Sequence, residues 1–187
     1  RVLFRSWDDF VSLTASGIFY TKLDQGDFVK TIIIGGDALD VVTFSDKKAL
    51  RFSAKEIPLV RRSARGVRSI GGKTVEYVDG MTLVAGKDIT DVVVVTKNGY
   101  LNRFNINALP QSQRAKAGSS VVKLSKTDRI NSIHIVNQND SIRLTTENGM
   151  TDIKVSELPT GSSISAGTKC ISGKDTVLKA MIVKIIK

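Results

Sequence analysis

The sequence predicts an all-β fold built from repeated units. One segment occurs three times, in residues 40–66, 91–118 and 140–167, and the chain's three prolines fall at the same place in the three copies, 52 and 49 residues apart. A period of about 50 residues is typical of propellers and solenoids, whose neighbouring units bury each other's apolar faces. Nowhere do apolar residues keep helical spacing for three turns, so strands are expected throughout.

Each copy begins with a predicted β-hairpin. In the first copy, Asp40 precedes the strands VVTFS and ALRFSA, which a short polar turn connects. Asn98-Gly99 and Asn148-Gly149 stand at this turn in the later copies, and Asn-Gly is the strongest short-range hairpin signal. Hairpin-rich units of this length indicate about four strands each, as in the blade of a propeller.

A loop that crosses between sheets is predicted after each hairpin. Proline lacks the N–H donor that a central strand needs, and glycine permits a backbone turn that other residues resist. Because the three loops are equivalent, we expect them to lie along one rim of the fold. The loops run from a proline to a glycine eight residues later: Pro58 to Gly66, Pro110 to Gly118 and Pro159 to Gly167.

Shorter segments complete the predicted units. Residues 9–17 repeat the Asp, Thr and Gly spacing of the hairpin without a proline loop, which indicates a partial first copy. Together the copies predict a single domain, 1–187, with units at about 1–26 (partial), 27–72, 73–126 and 127–187. The other predicted elements are a buried strand at 28–34, a second hairpin around Asp79-Gly80 at 75–85, a strand at 130–136 and a terminal edge strand at 178–187.

Charge is the clearest compositional signal of function. Lysines and arginines number 28 against 18 acidic residues, which gives a formal net charge of +10. This exceeds what solubility requires of a small domain and favours a polyanionic partner. The alternative is a basic surface that only keeps the protein soluble.

Composition also excludes several classes of protein. The single cysteine and the single histidine exclude an internal disulfide and a zinc site of Cys and His ligands, and no cofactor is expected. No apolar run approaches the roughly 20 residues that span a bilayer, and no signal peptide opens the chain, so we expect a cytoplasmic location. Because residue 1 is Arg, we interpret the chain as a piece of a longer polypeptide.

No residue pattern predicts an active site. Residues 70–74 (IGGKT) end like a phosphate-binding loop, but the glycine required five positions before Gly72 is Val67. His134 lies between two isoleucines of a predicted strand, which is typical of a structural or solvent-facing histidine. The aspartates that open the copies, Asp40, Asp91 and Asp140, are predicted to cap turns rather than to bind metal.

Positive charge recurs at equivalent positions instead. The first proline loop and the residues after it carry four arginines, the second carries one arginine and two lysines, and the third is followed only by Lys169. Counterion release rewards each Lys or Arg that meets a phosphate, so a stripe of such residues along a rim predicts a surface for DNA. The candidate DNA-binding residues are Arg51, Arg61, Arg62, Arg65, Arg68, Arg103, Arg114, Lys116 and Lys123.

The repeats resemble those of a known family. The segments TKNGYLNRFNINALP (96–110), RFSAKEIPLVRRSARGVRSI (51–70) and ENGMTDIKVSELP (147–159) are similar to the C-terminal domain of the A subunit of bacterial type IIA topoisomerases, DNA gyrase and topoisomerase IV. This resemblance implies a propeller-like β-pinwheel whose basic perimeter binds and bends double-stranded DNA. It also implies an ATP-dependent enzyme whose catalytic residues lie outside this chain, in a catalytic core that acts with an ATPase subunit near the bacterial nucleoid.

Two departures refine this expectation. The A subunits of gyrase carry the heptapeptide QRRGGKG, of which residues 113–119 (QRAKAGS) keep only the first two residues. This difference favours topoisomerase IV over gyrase. Three full units and a partial one are fewer than the six blades typical of gyrase, so an open or broken ring is expected.

Two hypotheses about function therefore remain open. In the first, the chain is a non-catalytic domain that bends DNA and presents a segment for strand passage. In the second, it is a β-propeller scaffold that binds an acidic protein partner. An enzyme ranks third, since no residue can be nominated for catalysis.

Overall fold

The computed structural model describes residues 1–11, 14–17, 20–36, 39–61, 64–72, 77–84 and 90–183. Three antiparallel sheets follow one another along the chain, and short 3₁₀ helices are the only helices in these ranges. None of those helices is long and apolar enough to cross a membrane. The expected all-β class is confirmed. The strands are β1 (Asp40–Ser45), β2 (Lys48–Ser53), β3 (Gly80–Val84), β4 (Asp91–Thr96), β5 (Tyr100–Asn105), β6 (Ser119–Ser120), β7 (Ile130–Val136), β8 (Ser141–Thr146), β9 (Gly149–Lys154), β10 (Thr168–Lys169) and β11 (Lys179–Val183).

The three sheets share one plan. The first and second hairpin strands pair as predicted, β1 with β2, β4 with β5 and β8 with β9. A return strand from further along the chain, β3, β7 or β11, pairs with the first hairpin strand. β3 and β7 lie beyond residues 72 and 126, where the sequence predicts that the units end. A two-residue strand from the following unit then joins the other edge, β6 on β2 and β10 on β5. In the third sheet, β9 has no such fourth strand among the residues described.

The apolar core lies between successive sheets. All six residues of β4 are buried, and its valines alternate between two clusters. Val92 and Val94 pack with Val42 and other residues of the first sheet, whereas Val93 and Val95 pack with residues of the third. Each unit therefore buries its apolar surface only against its neighbours, as expected of a repeat array.

The N-terminal segment adopts a different register from the predicted one. Phe4 forms a parallel bridge with Leu59, just as Arg51 does with Gln111 in the next unit. Ser6 then caps a 3₁₀ helix, Trp7–Phe10, as Ser53 caps the helix after β2. Residues 2–10 thus take the place of a second hairpin strand and its 3₁₀ helix, so Asp9 does not begin a first hairpin strand as Asp91 does. The Gly17 N–H nevertheless donates to the Thr14 carbonyl, as the Gly99 N–H donates to that of Thr96.

Two other predicted elements also differ. Residues 28–34 are irregular instead of a buried strand. Their apolar side chains are exposed except for the half-buried Ile33, with Ile34 at 80% and Phe28 at 68%. Among the described residues, no first hairpin strand lies beside residues 28–34. This segment therefore lacks the kind of partner that β3 has in β1. Among the described residues of the predicted hairpin at 75–85, Gly80–Val84 form β3, which pairs with β1, whereas residues 77–79 are not in a strand. Residues 75, 76 and 85 lie outside the described ranges.

The edges of the sheets differ in what surrounds them. The return strands contact one another, β3 with β7 and β7 with β11. The short strands lie at the opposite edge, and the proline loops precede them in sequence. The predicted terminal edge strand is confirmed as β11, although residues 184–187 lie outside the described ranges.

Candidate nucleic-acid interface

The three proline loops occupy equivalent places on successive units. In each loop, the second residue after the proline donates its N–H to a backbone carbonyl of the preceding unit. The acceptor lies in β2 or β5 for the second and third loops and in the N-terminal segment for the first. These bonds are Val60 to Phe4 at 3.1 Å, Ser112 to Arg51 at 2.8 Å and Gly161 to Arg103 at 2.8 Å. Each loop is therefore fixed where one unit meets the next.

The glycines that end the second and third loops allow the backbones to approach closely. Gly118 and Gly167 have φ values of +71° and +77°. A Cβ atom would lie 2.7 Å from the carbonyl oxygen of Ala49 at Gly118 and 2.5 Å from that of Leu101 at Gly167. Only glycine fits this conformation and this contact without strain, so the pattern from proline to glycine defines the junction.

Side chains of the first loop are directed largely to solvent. Arg61, Arg65 and Arg68 are exposed. Arg65 Nη1 lies 2.7 Å from Asp24 Oδ1, and both side chains are about half exposed. Such surface pairs contribute little and are screened by salt, so a phosphate can compete for Arg65. Arg62 lies outside the described residues.

Arg114 fastens the second loop to the first unit. Its backbone N–H donates to Glu56 Oε2 at 2.8 Å, and its Nε donates to the Glu56 carbonyl at 3.1 Å. Nη1 also donates to the carbonyl of Arg68. The half-buried guanidinium thus positions the loop. Lys116 and Lys123 are exposed, and the Lys123 N–H donates to the carbonyl of Ser165 in the third loop at 3.0 Å.

Two of the candidate arginines lie elsewhere. The Arg103 side chain is 6% exposed; Nε and Nη2 donate to Asp91 Oδ2 at 3.2 and 2.7 Å. Its Nη1 donates to the carbonyls of Val155 and Leu158 in the next unit. Arg51 Nε donates to Asp40 Oδ2 at 2.8 Å, and both side chains are about one fifth exposed. Arg103 thus connects two units, whereas Arg51 is paired within its own hairpin, and we leave both out of the interface.

The aspartates at the starts of the hairpins have divided roles. Asp140 Oδ2 accepts from the N–H of Asn137 at 2.9 Å, which is the turn cap that the sequence predicts. Asp40 and Asp91 accept from arginine side chains instead. The sequence pattern places an Asp at all three positions but does not distinguish these partners.

The third loop is uncharged and held by an amide. The buried Asn102 donates from Nδ2 to the carbonyls of Val121 at 3.1 Å and Ser162 at 3.2 Å, and its Oδ1 accepts from Ser165 Oγ at 2.5 Å. Lys169, which follows the loop, lies 5.0 Å from the Tyr100 ring centroid and donates to a backbone carbonyl. Positive charge at the junctions therefore decreases from the first unit to the third.

Sequence reasoning missed two further groups. Lys126 and Arg129 are exposed just beyond Lys123, and the run KLSKTDR after the second loop is the signal that could have indicated them. Asp79 Oδ2 accepts from the N–H of Asp46 at 2.6 Å, and Asp128 Oδ1 from that of Asn98 at 3.0 Å. These two carboxylates cap the hairpin turns of the first two units.

Nothing in the described part of the chain forms a catalytic or metal-binding constellation. No group of three or more His, Cys, Asp and Glu side chains there could hold a metal ion. His134 Nε2 lies 2.9 Å from Ser132 Oγ, and burial lowers the pKa of His134 to about 4. Burial also raises the pKa of the Cys170 thiol. A neutral histidine and a protonated thiol have no activating partner here.

Comparison with known proteins shows what the first two units are similar to. The DNA gyrase C-terminal domain family, a β-propeller family, matches residues 40–79 and 90–137. Two of the units are therefore similar to repeats of this family. The resemblance of the chain to the C-terminal domains of type IIA topoisomerase A subunits is thereby confirmed.

Curated relatives from both enzymes are similar to this chain. The A subunit of DNA gyrase from Aminobacterium colombiense is 29% identical over 180 residues, which are 92% of this chain and 21% of that protein. The A subunit of DNA topoisomerase 4 from Staphylococcus epidermidis is 27% identical over 103 residues, 54% of this chain and 12% of that protein. The chain thus spans about a fifth or less of these relatives' length.

Solved structures share the fold. A structure described as the C-terminal domain of DNA topoisomerase IV superposes with a TM-score of 0.87 at 21% identity, covering 96% of this chain and 58% of that one. A DNA gyrase A C-terminal domain gives a TM-score of 0.74 at 19% identity, covering 88% and 57%. The propeller-like architecture expected from the gyrase and topoisomerase repeats is confirmed.

Proposed function

We propose that this chain is a non-catalytic domain that binds and bends double-stranded DNA for a type IIA topoisomerase. The observation that carries the proposal is the equivalent placement of the proline loops, each fixed to the preceding unit by the same backbone hydrogen bond. Exposed cations at the first two junctions therefore follow one another along the array. They are Arg61, Arg65, Arg68, Lys116 and Lys123, with Lys126 and Arg129 beyond them.

Bending of a duplex along this surface is energetically reasonable. Smooth bending of 20–30 base pairs by 40–90° costs about 1–6 kcal/mol, which phosphate contacts along a continuous cationic track can offset. The formal net charge of +10 supplies long-range attraction as well. Contacts of this kind position DNA without reading its bases.

The role in a larger enzyme follows from the family. We propose that a bacterial A subunit carries this domain, that its catalytic core cleaves DNA outside this chain, and that an ATPase subunit completes an ATP-dependent enzyme in the cytoplasm near the nucleoid. Topoisomerase IV is the preferred assignment because residues 113–119 keep only two residues of the gyrase heptapeptide. The domain would then present a DNA segment for strand passage without gyrase-type wrapping.

A mobility-shift titration with a duplex of about 40 base pairs tests the proposal. Binding should weaken steeply between 50 and 200 mM salt and be nearly equal for unrelated sequences, because phosphate contacts dominate. Absence of any shift at 50 mM salt would contradict DNA binding and favour the alternative, a propeller scaffold that binds an acidic protein. The net positive charge is the observation that keeps this alternative open.

A further inference from the structure

The third sheet lacks a strand that its neighbours have. The second hairpin strand β2 receives β6, and β5 receives β10, each from the following unit. The corresponding edge of β9 has no partner among the described residues, and five of its six residues are exposed. Met150 stands where Ala49 and Leu101 stand in the other sheets, and it is 69% exposed rather than buried.

The contacts at the two complete junctions define what this edge would bind. The residue after the proline bridges the second hairpin strand, Gln111 to Arg51 and Thr160 to Arg103. The corresponding residue in β9 is Asp152. A short strand then pairs with Ala49 or Leu101. An occupant of the β9 edge therefore has to be a proline loop followed by an extended pair of residues.

A glutamate distinguishes the two complete junctions. Glu56, two residues before the first proline, accepts the Arg114 amide on its carboxylate and the Arg114 Nε–H on its carbonyl. At the next junction Ala108 takes the place of Glu56, and Ser163 takes the place of Arg114. The junction that has glutamate two residues before its proline therefore has arginine four residues after the next proline. The junction that has alanine at the first position has serine at the second.

The third unit has the glutamate again. Glu157 lies two residues before Pro159, as Glu56 lies two before Pro58. Its side chain is 62% exposed, and its Oε1 lies 3.4 Å from Lys154 Nζ, itself 68% exposed. A surface pair of this kind contributes little and leaves the carboxylate available to another donor.

We propose that the β9 edge together with Glu157 is a docking site for the proline loop of a further repeat unit, one that carries arginine four residues after its proline. The occupant adds a two-residue strand beside Met150 and fastens itself at Glu157 as the second loop does at Glu56. Strand addition at an open edge provides the backbone hydrogen bonds, and the arginine provides the selectivity. This inference is independent of DNA binding.

A pair of extended chains tests the proposal. In the first, residues 184–187 are replaced by a copy of residues 85–136, whose loop contains Arg114. In the second, they are replaced by a copy of residues 137–183, whose loop has serine at that position. Tethering gives each added loop a high effective concentration at β9. Amide hydrogen exchange then compares β9 in the unextended chain, in both extended chains and in their Glu157→Ala variants.

The expected result is specific to the arginine loop. Protection of the β9 amides should rise at least tenfold in the first extended chain, and Glu157→Ala should remove most of that gain there while leaving the second chain unchanged. Unaltered exchange in β4 serves as the control for folding. Unprotected β9 amides in both extended chains would overturn the proposal, as would equal effects of Glu157→Ala in both. Concentration-dependent protection in the unextended chain would assign the edge to a second copy and contradict the proposed occupant.

Discussion

Arg103 and Asp91 form a buried ion pair that connects the second unit to the third. Arg103 Nε and Nη2 donate to Asp91 Oδ2, and the side chains of Arg103 and Asp91 are 6% and 7% exposed. Nη1 reaches Val155 and Leu158 of the next unit, so the buried guanidinium has partners on both sides of the junction. The pair aligns neighbouring units and is not available to a phosphate.

Removal of one member of this pair should destabilise the fold. Arg103→Ala leaves the Asp91 carboxylate buried without its partner, and we expect a loss of about 3–5 kcal/mol in the free energy of unfolding. Urea unfolding measures it. Arg51→Ala is the matched control, because its pair with Asp40 is more exposed and lies within one hairpin, so its loss should be smaller. Equal losses for the two variants would contradict the structural role of Arg103.

Asn102 should control the third junction in particular. Asn102→Ala removes the donor to Val121 and Ser162 and the acceptor for Ser165, and we expect a loss of about 1–3 kcal/mol. Amide exchange should accelerate in residues 160–167 while β1 and β2 remain protected. Ser165→Ala tests the coupling: a double variant whose loss equals the sum of the single losses would argue against a shared network.

The stability of the protein should decrease at mildly acidic pH because of His134. Burial lowers its pKa to about 4, whereas an unfolded histidine has a pKa of about 6.5. The unfolded state therefore binds the proton more readily, so the contribution of neutral His134 is complete above about pH 6.5 and is lost as pH falls through 4. One pKa unit corresponds to about 1.4 kcal/mol, so we expect about 3 kcal/mol of pH-dependent loss over this range, which His134→Gln should remove. An NMR titration midpoint of the imidazole near 6.5 would contradict this account.

Much of the fold could be predicted from local sequence signals. Asn98-Gly99 and Asn148-Gly149 mark hairpin turns between strands that the structure also pairs. The proline spacing indicated the repeat because each proline ends a hairpin whose loop crosses to the previous unit. These turns and loops depend on residues only a few positions apart, so the local sequence is sufficient to predict them.

Other features depend on neighbours that a sequence does not reveal. Arg103 precedes the buried Phe104 in β5, so alternation along the strand predicts that its side chain lies on the opposite face of the sheet. The 3₁₀ helix and loop of the next unit cover that face as well, and they accept hydrogen bonds from Arg103. The spacing of Asp9, Thr14 and Gly17 does not show that residues 2–10 lie beside the first proline loop, where the bridge of Phe4 to Leu59 sets their register. Pairing between units, rather than local propensity, decides both cases.

The measurement that tests the central claim most directly compares two charge reversals. Arg61→Glu with Arg68→Glu changes the exposed cations of the first junction. Lys30→Glu with Lys179→Glu makes the same change in net charge at two exposed lysines that line a cleft with residues of the return strands β3, β7 and β11. Fluorescence anisotropy with a labelled duplex at 50, 100 and 200 mM salt gives the affinity and its salt slope for each variant.

Phosphate contacts at the junction predict a clear difference. The first variant should bind at least tenfold more weakly and with a salt slope smaller in magnitude by about two, because two phosphate contacts are lost. The control should lose only the severalfold affinity that a change in net charge causes. Equal losses of affinity and equal slopes in the two variants would contradict a DNA track along the proline loops.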